Sequence, residues 1–216
     1  MNIYIKEVDF LLTSNEFVQM LIIAATEIIN AEDELTQIDA KFGDADHGIT
    51  MTKIMKNIIQ EIECMNKDKT FKEILDDISM AIMSINGGSA VPLWSTLFDG
   101  MSSGAVDDTI MNEDQFKEMF KSGYEELQEL SKAKVGDKTM MDTLIPAVNT
   151  ICTTNGDIRY IISEATKSAI KGSKDSENYI AKFGRAKSYK EKTIGTEDAG
   201  ATSMKYFFIG LNKYFN

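Results

Sequence analysis

Proline is scarce in this chain: only Pro92 and Pro146 occur in 216 residues, so long stretches stay free to hydrogen-bond as helix. Cysteine is as sparse. Cys64 and Cys152 stand alone and far apart, and without a CxxC pair nothing indicates zinc or dithiol redox chemistry, or supports a disulfide. Basic charge is in deficit, with 23 Lys and Arg against 34 Asp and Glu and a formal net charge of −11. That argues against non-specific nucleic-acid binding, which needs a basic patch to neutralise phosphates, and against an anionic membrane surface as partner. No apolar run reaches the roughly 18 residues of a membrane-spanning helix. The opening MNIYIKEVDFLL has no basic stretch followed by a long apolar one. No signal peptide is read there, and a cytoplasmic location is expected. Apolar content of 43% and charged content of 26% belong to an ordinary globular chain.

Helical periodicity fills most of the sequence. SNEFVQMLIIAATEIIN from Ser14 carries a serine cap signal and sets Phe17, Leu21, Ala24, Ala25 and Ile28 on one face. TFKEILDDISMAIMSI from Thr70 repeats the pattern, and NEDQFKEMFKSGYEELQEL from Asn112 has acidic residues where the helix dipole favours them. TMMDTLIPAVNTIC, DIRYIISEATKSAIKG and ATSMKYFFIGLNKYF read as three more helices. Alternating strand patterns are scarce. The fold class is therefore all-α, a bundle of seven or eight helices in one domain. Glycines fall between helices, in KFGDADHG, INGGSAVP, KVGDKTMMD, KFGRAKS and TEDAGATS. Antiparallel helices put alternate loops at one end, so several of these can converge on one site.

The stretch IDAKFGDADHGITM crowds three aspartates and the single histidine within nine residues. Asp44 and Asp46, two apart, point the same way in an extended loop, and Asp39 closes the preceding helix pattern. Hard carboxylate oxygens of this kind suit Mg²⁺ shared with phosphates. His47 and Gly48 then open ITMTKIMKNII, a helix whose first amides can receive an anion. The alternative is an ordinary capped turn with solvated acids. No acidic series continues to a twelfth position, so a calcium loop is excluded. INGGSAVPLW can wrap a phosphate with its amides and the Ser89 hydroxyl, or can end a helix with Gly87 or Gly88 as cap. VGDKTMMD reads either as a helix start capped by Asp137 or as a loop carrying Lys138 towards phosphate; it is not a P-loop. Arg185 is a phosphate contact or a surface residue.

Taken in order, these segments resemble the nucleotide-binding L subunit of dihydroxyacetone kinases and the matching domain of the single-chain enzymes. LTQIDAKFGDADHGITM is similar to that family's LD…GDGDHG…M, GGSAVPL to its GG-x-SGPL, GDKTMMDTLIPA to its GDKTM-x-D…PA, and GRAKSYKEKTIGTEDAGATS to its GRA…IG…DPGA. The resemblance spans nearly the whole of residues 1–216 and implies an antiparallel eight-helix barrel holding ADP or ATP and two Mg²⁺ in loops at one end. It places Asp39, Asp44 and Asp46 as metal ligands. It places His47, Gly48, Ile49 and Thr50 on the phosphate-contacting helix start, and Gly88, Ser89 and Ala90 on the phosphate loop. Ser131 stands where the family has a glycine, Met140 falls on an adenine-side contact, Arg185 on a nucleotide contact, and Asp198, Ala199 and Gly200 on the last contact.

The implied activity is phosphoryl transfer to dihydroxyacetone or a similar ketose held on a separate K subunit, with an M-type phosphocarrier of a phosphoenolpyruvate-dependent system rephosphorylating the nucleotide. A homodimer or heterocomplex is expected. Departures from the pattern are specific: Ala45 replaces the middle glycine of GDGD, Ala90-Val91 replaces Ser-Gly, and Ala199 replaces proline. They motivate an alternative, a nucleotide-sensing regulatory paralogue that binds a kinase component or a transcriptional regulator.

Overall fold

The computed structural model describes residues 11–216; the reading of the extreme N-terminus as lacking a signal peptide falls mostly on residues 1–10 and lies outside them. Local caps account for several helix starts. Helix α1 (Ser14–Asn30) begins one residue away from the expected cap, because Thr13 rather than Ser14 accepts the Glu16 N–H and the Glu16 carboxylate returns the bond to the Thr13 N–H. Thr70 with Glu73 starts α4 (Phe71–Met83), and Asn112 with Gln115 starts α6 (Glu113–Ser131), by the same reciprocal pairing. The remaining helices are α2 (Glu32–Asp39), α3 (His47–Cys64), α5 (Ala90–Gly104), α7 (Met141–Thr153), α8 (Ile158–Asp175) and α9 (Ala199–Lys213).

Eight of these close a ring. Helix α1 packs on α3, α3 on α4, α4 on α5, and so on round to α9, which returns to α1; α2 is a short bridge laid against α3. The all-α expectation, with its barrel of about eight helices, is borne out. The one ladder among the described residues is the two-residue antiparallel pair of β1 (Leu12–Thr13) and β2 (Ile110–Met111). No described helix is long and apolar enough to cross a membrane.

Inside the ring the apolar faces meet as packed rings. Phe207 lies 5.4 Å from Trp94, 6.2 Å from Phe98 and 5.8 Å from Phe208, centroid to centroid. Each such side chain is essentially fully buried, worth about 2–3 kcal/mol by area. Helices α5 and α6 approach closely because a Cβ on Gly100 would sit 3.0 Å from the Gly123 Cα. This rigid wall fixes the helix ends. Helices α3, α5, α7 and α9 all start at the same end, where His47, Ala90, Met140 and Ala199 line one cavity.

Candidate functional site

Asp39 is the last residue of α2, while Asp44 and Asp46 sit in the loop that leads to α3. One carboxylate oxygen from each lies within 4.8 Å of the other two. The loop is held by its own backbone: the Asp39 carboxylate accepts the N–H groups of Asp46 (3.1 Å) and His47 (3.4 Å). Asp39 thus caps α3 from a neighbouring helix, because Asp46 makes no side-chain cap of its own. Gly48 lets α3 start against α2, where a Cβ would lie 2.2 Å from the Glu32 carbonyl oxygen. Ala45 takes φ 61°, the left-handed conformation in which a side chain is costly.

Mutual repulsion marks the trio. Desolvation, then Asp44 and Asp39, raise the Asp46 carboxyl above its ordinary value. One cation answers: the Arg185 guanidinium lies 2.6 Å from Asp44, and beside it Tyr189 packs on Phe42 with centroids 5.3 Å apart. The His47 ring is half-buried, 3.2 Å from the Ser203 hydroxyl, and burial lowers its pKa.

The cavity below has a volume of about 550 Å³. At one end stand the three aspartates, His47 and Arg185; Gly88, Ser89 and Ala90 open α5 beside them. Ser89 makes no side-chain cap, and a Cβ on Gly88 would meet nothing within 4 Å. First-turn amides of a helix without a side-chain cap present positive partial charge to an anion. Ser131, Met140, Asp198, Ala199 and Gly200 line the cavity as well, joined by Leu93, Trp94, Leu130 and Phe183. The sequence reading missed these last four, which carry no polar signature and meet only through the fold. Gly48, Ile49 and Thr50 do not line the cavity: Gly48 and Thr50 are buried in the first turn of α3, and Ile49 is exposed.

Two local readings are corrected. Helix α4 ends at Met83, and neither Gly87 nor Gly88 has a positive φ, so the glycine pair is no helix cap. In VGDKTMMD Asp137 is not the cap, and Lys138 lines the cavity with its ammonium bonded to backbone carbonyls. Met140 precedes α7 without a side-chain cap, while the Asp137 carboxylate accepts the Lys134 N–H and pairs with Lys182 at 2.6 Å. Lys138 is turned inwards, 4% exposed, its ammonium donating to the carbonyls of Ser176 and Thr196.

A family model described as the DAK2 domain matches residues 41–213. The chain belongs to the DAK2 domain family. It is 32% identical over 180 residues to the PTS-dependent dihydroxyacetone kinase, ADP-binding subunit DhaL, of Lactococcus lactis, covering 82% of this chain and 85% of that protein. With the PEP-dependent dihydroxyacetone kinase, ADP-binding subunit DhaL, of Escherichia coli it shares 29% over 184 residues, 83% of this chain and 87% of that one. The crystal structure of the C. freundii dihydroxyacetone kinase in complex with AMP-PNP and Mg²⁺ superposes with a TM-score of 0.68 at 20% identity, over 99% of this chain and 36% of that one. At that identity the likeness concerns the fold. The chain spans about a third of that enzyme. The resemblance read from the motifs is thereby borne out.

Proposed function

We propose that this DAK2-family chain, as one DhaL-type domain over residues 1–216, is the nucleotide-binding L subunit of a dihydroxyacetone kinase of the cytoplasm. It passes the terminal phosphoryl group of bound ATP to dihydroxyacetone or a similar small ketose on a separate K subunit. The ADP left behind is rephosphorylated by an M-type phosphocarrier of a phosphoenolpyruvate-dependent system. The observation that carries this reading is the convergence of three carboxylates with helix N-termini at one end of a cavity of nucleotide size.

The residues present fit the implied groups. Three hard carboxylates with no sulfur among them suit magnesium. Asp39, Asp44 and Asp46 would hold two Mg²⁺ ions, whose chemistry is neutralisation of phosphate charge. Around them His47 and Gly48, with Ile49 and Thr50 in the turn behind, and Gly88, Ser89 and Ala90 bind and orient the polyphosphate. Leu130, Met140 and Ala199, with Ser131 and Gly200, offer the bed a base requires, with Asp198 as their anchor. Arg185 supplies a positive charge at the rim, paired with Asp44. Phosphoryl transfer asks chiefly for positioning and charge neutralisation, which such a subunit provides without a nucleophile of its own.

The test is reconstitution with a K-type subunit, ATP and dihydroxyacetone, reading ketose phosphate. Transfer is expected with the wild type, and a fall on the order of 100-fold with Asp44→Asn at unchanged helicity. Undiminished transfer by that variant would overturn the proposal.

A further inference from the structure

Lys138 is a buried ammonium with an uncommon backbone. Its φ is 60°, a conformation that a non-glycine residue holds only where its surroundings over-determine it. Its ammonium donates at 2.6 Å to the Ser176 carbonyl, 38 residues on, and to the Thr196 carbonyl, 58 residues on. One cation therefore ties the loop before α7 to the end of α8 and to the strand of chain that enters α9. Asp198 is fastened to the same point, its N–H donating at 3.0 Å to the Ser176 hydroxyl, which in turn donates to the Ser173 carbonyl. A second strut runs parallel: Lys182 donates its N–H to the Asp137 carbonyl and its ammonium to the Asp137 carboxylate.

The two stretches so joined are opposite faces of one wall. Met140 follows the lysine by two residues, and Ala199–Gly200 follow Asp198; a Cβ on Gly200 would lie 3.3 Å from the Met140 N. All three line the cavity, as does Lys138 itself. We infer that Lys138 is a positioning residue for the base of the nucleotide: it holds Met140 in register with Ala199–Gly200. This rests on the nucleotide-binding reading above. A charge buried at 4% exposure is costly unless well paired, and its two acceptors are backbone carbonyls, which fix the position of the chain itself.

The position-specific consequence is a split between ligands with and without a base. With Mg²⁺ present, ADP and inorganic pyrophosphate are titrated calorimetrically, the latter directly or as a competitor of ADP, into wild type, Lys138→Met and Lys138→Arg. Lys138→Met should weaken ADP about tenfold or more, the size expected when the support behind a binding residue is lost, while pyrophosphate changes less than about twofold. Lys138→Arg, which keeps charge and donors, should recover most of the ADP affinity. Equal ADP binding by Lys138→Met, or equal weakening of both ligands, overturns the inference. If circular dichroism shows Lys138→Met unfolded, Ser176→Ala replaces it: the same split is expected, and unchanged ADP binding overturns the inference. A wild type that binds neither ligand instead sinks the nucleotide-site reading and this inference with it.

Discussion

Two groups of aspartates lie at the same end of the barrel and live by different rules. Asp142, buried, and Asp198, half-buried, are answered by backbone: the Asp142 carboxylate accepts the N–H groups of Gly136 and Thr139, at 2.5 and 2.6 Å, and Asp198 caps α9 through the Ala201 N–H. Asp39, Asp44 and Asp46 stand half-buried to exposed, with two amides for Asp39 and one arginine for Asp44. The first group's capacity is used up inside the chain; the second group's is left over. An acidic residue is therefore a strut where the backbone satisfies it and a candidate ligand where it does not, whatever its motif. At an effective dielectric near 20, two like charges about 4 Å apart repel by roughly 4 kcal/mol, so the rim trio is an arrangement that a bound cation stabilises and the backbone-bonded pair is not.

The largest effect should come from the buried side. Burial pushes the Asp198 carboxyl from 3.8 up to about 7. Its folded state then binds more protons than its unfolded state between these values, so its contribution to stability declines as pH rises through that window and levels off above it. Thermal unfolding of wild type compared with Asp198→Asn, which keeps the helix cap, should show a difference of a few kcal/mol accumulating from about pH 4 to 7; parallel curves would erase the contrast between the groups. Next, Asp142→Ala leaves two partly buried amides unpaired and should cost about 2 kcal/mol in denaturant unfolding, whereas Asp44→Asn at the rim should cost nothing measurable. Equal losses at the two positions would show that the rim trio is structural too. Smallest, Ala45→Gly relieves the side chain at φ 61° but frees the unfolded chain, for a net gain of about 0.5 kcal/mol; a loss would mean the Ala45 methyl makes a contact that matters more than the strain.

What the sequence disclosed follows the same divide. The trio was legible because its members are close in sequence and their leftover charge is itself the signal. Helices α4 and α6 were legible through caps, Thr70–Glu73 and Asn112–Gln115, which are written in adjacent letters. The end of α1 at Asn30 was read too, but α2 was seen only as a helix pattern closing at Asp39 and not as a helix of its own. Lys138 misled for a plainer reason. Its partners are carbonyls of Ser176 and Thr196, and a carbonyl has no letter of its own. The apolar flank of Leu93, Trp94, Leu130 and Phe183 was equally silent, since ordinary hydrophobic residues acquire a function only when the ring brings them to one cavity.

The most direct measurement is calorimetric titration of ADP into metal-stripped wild type and Asp44→Asn, each with and without Mg²⁺. Binding by the wild type is expected to require Mg²⁺ and to weaken on the order of 100-fold, about 3 kcal/mol, in Asp44→Asn. ADP bound equally well without Mg²⁺, or by Asp44→Asn as by wild type, would contradict the metal-site reading.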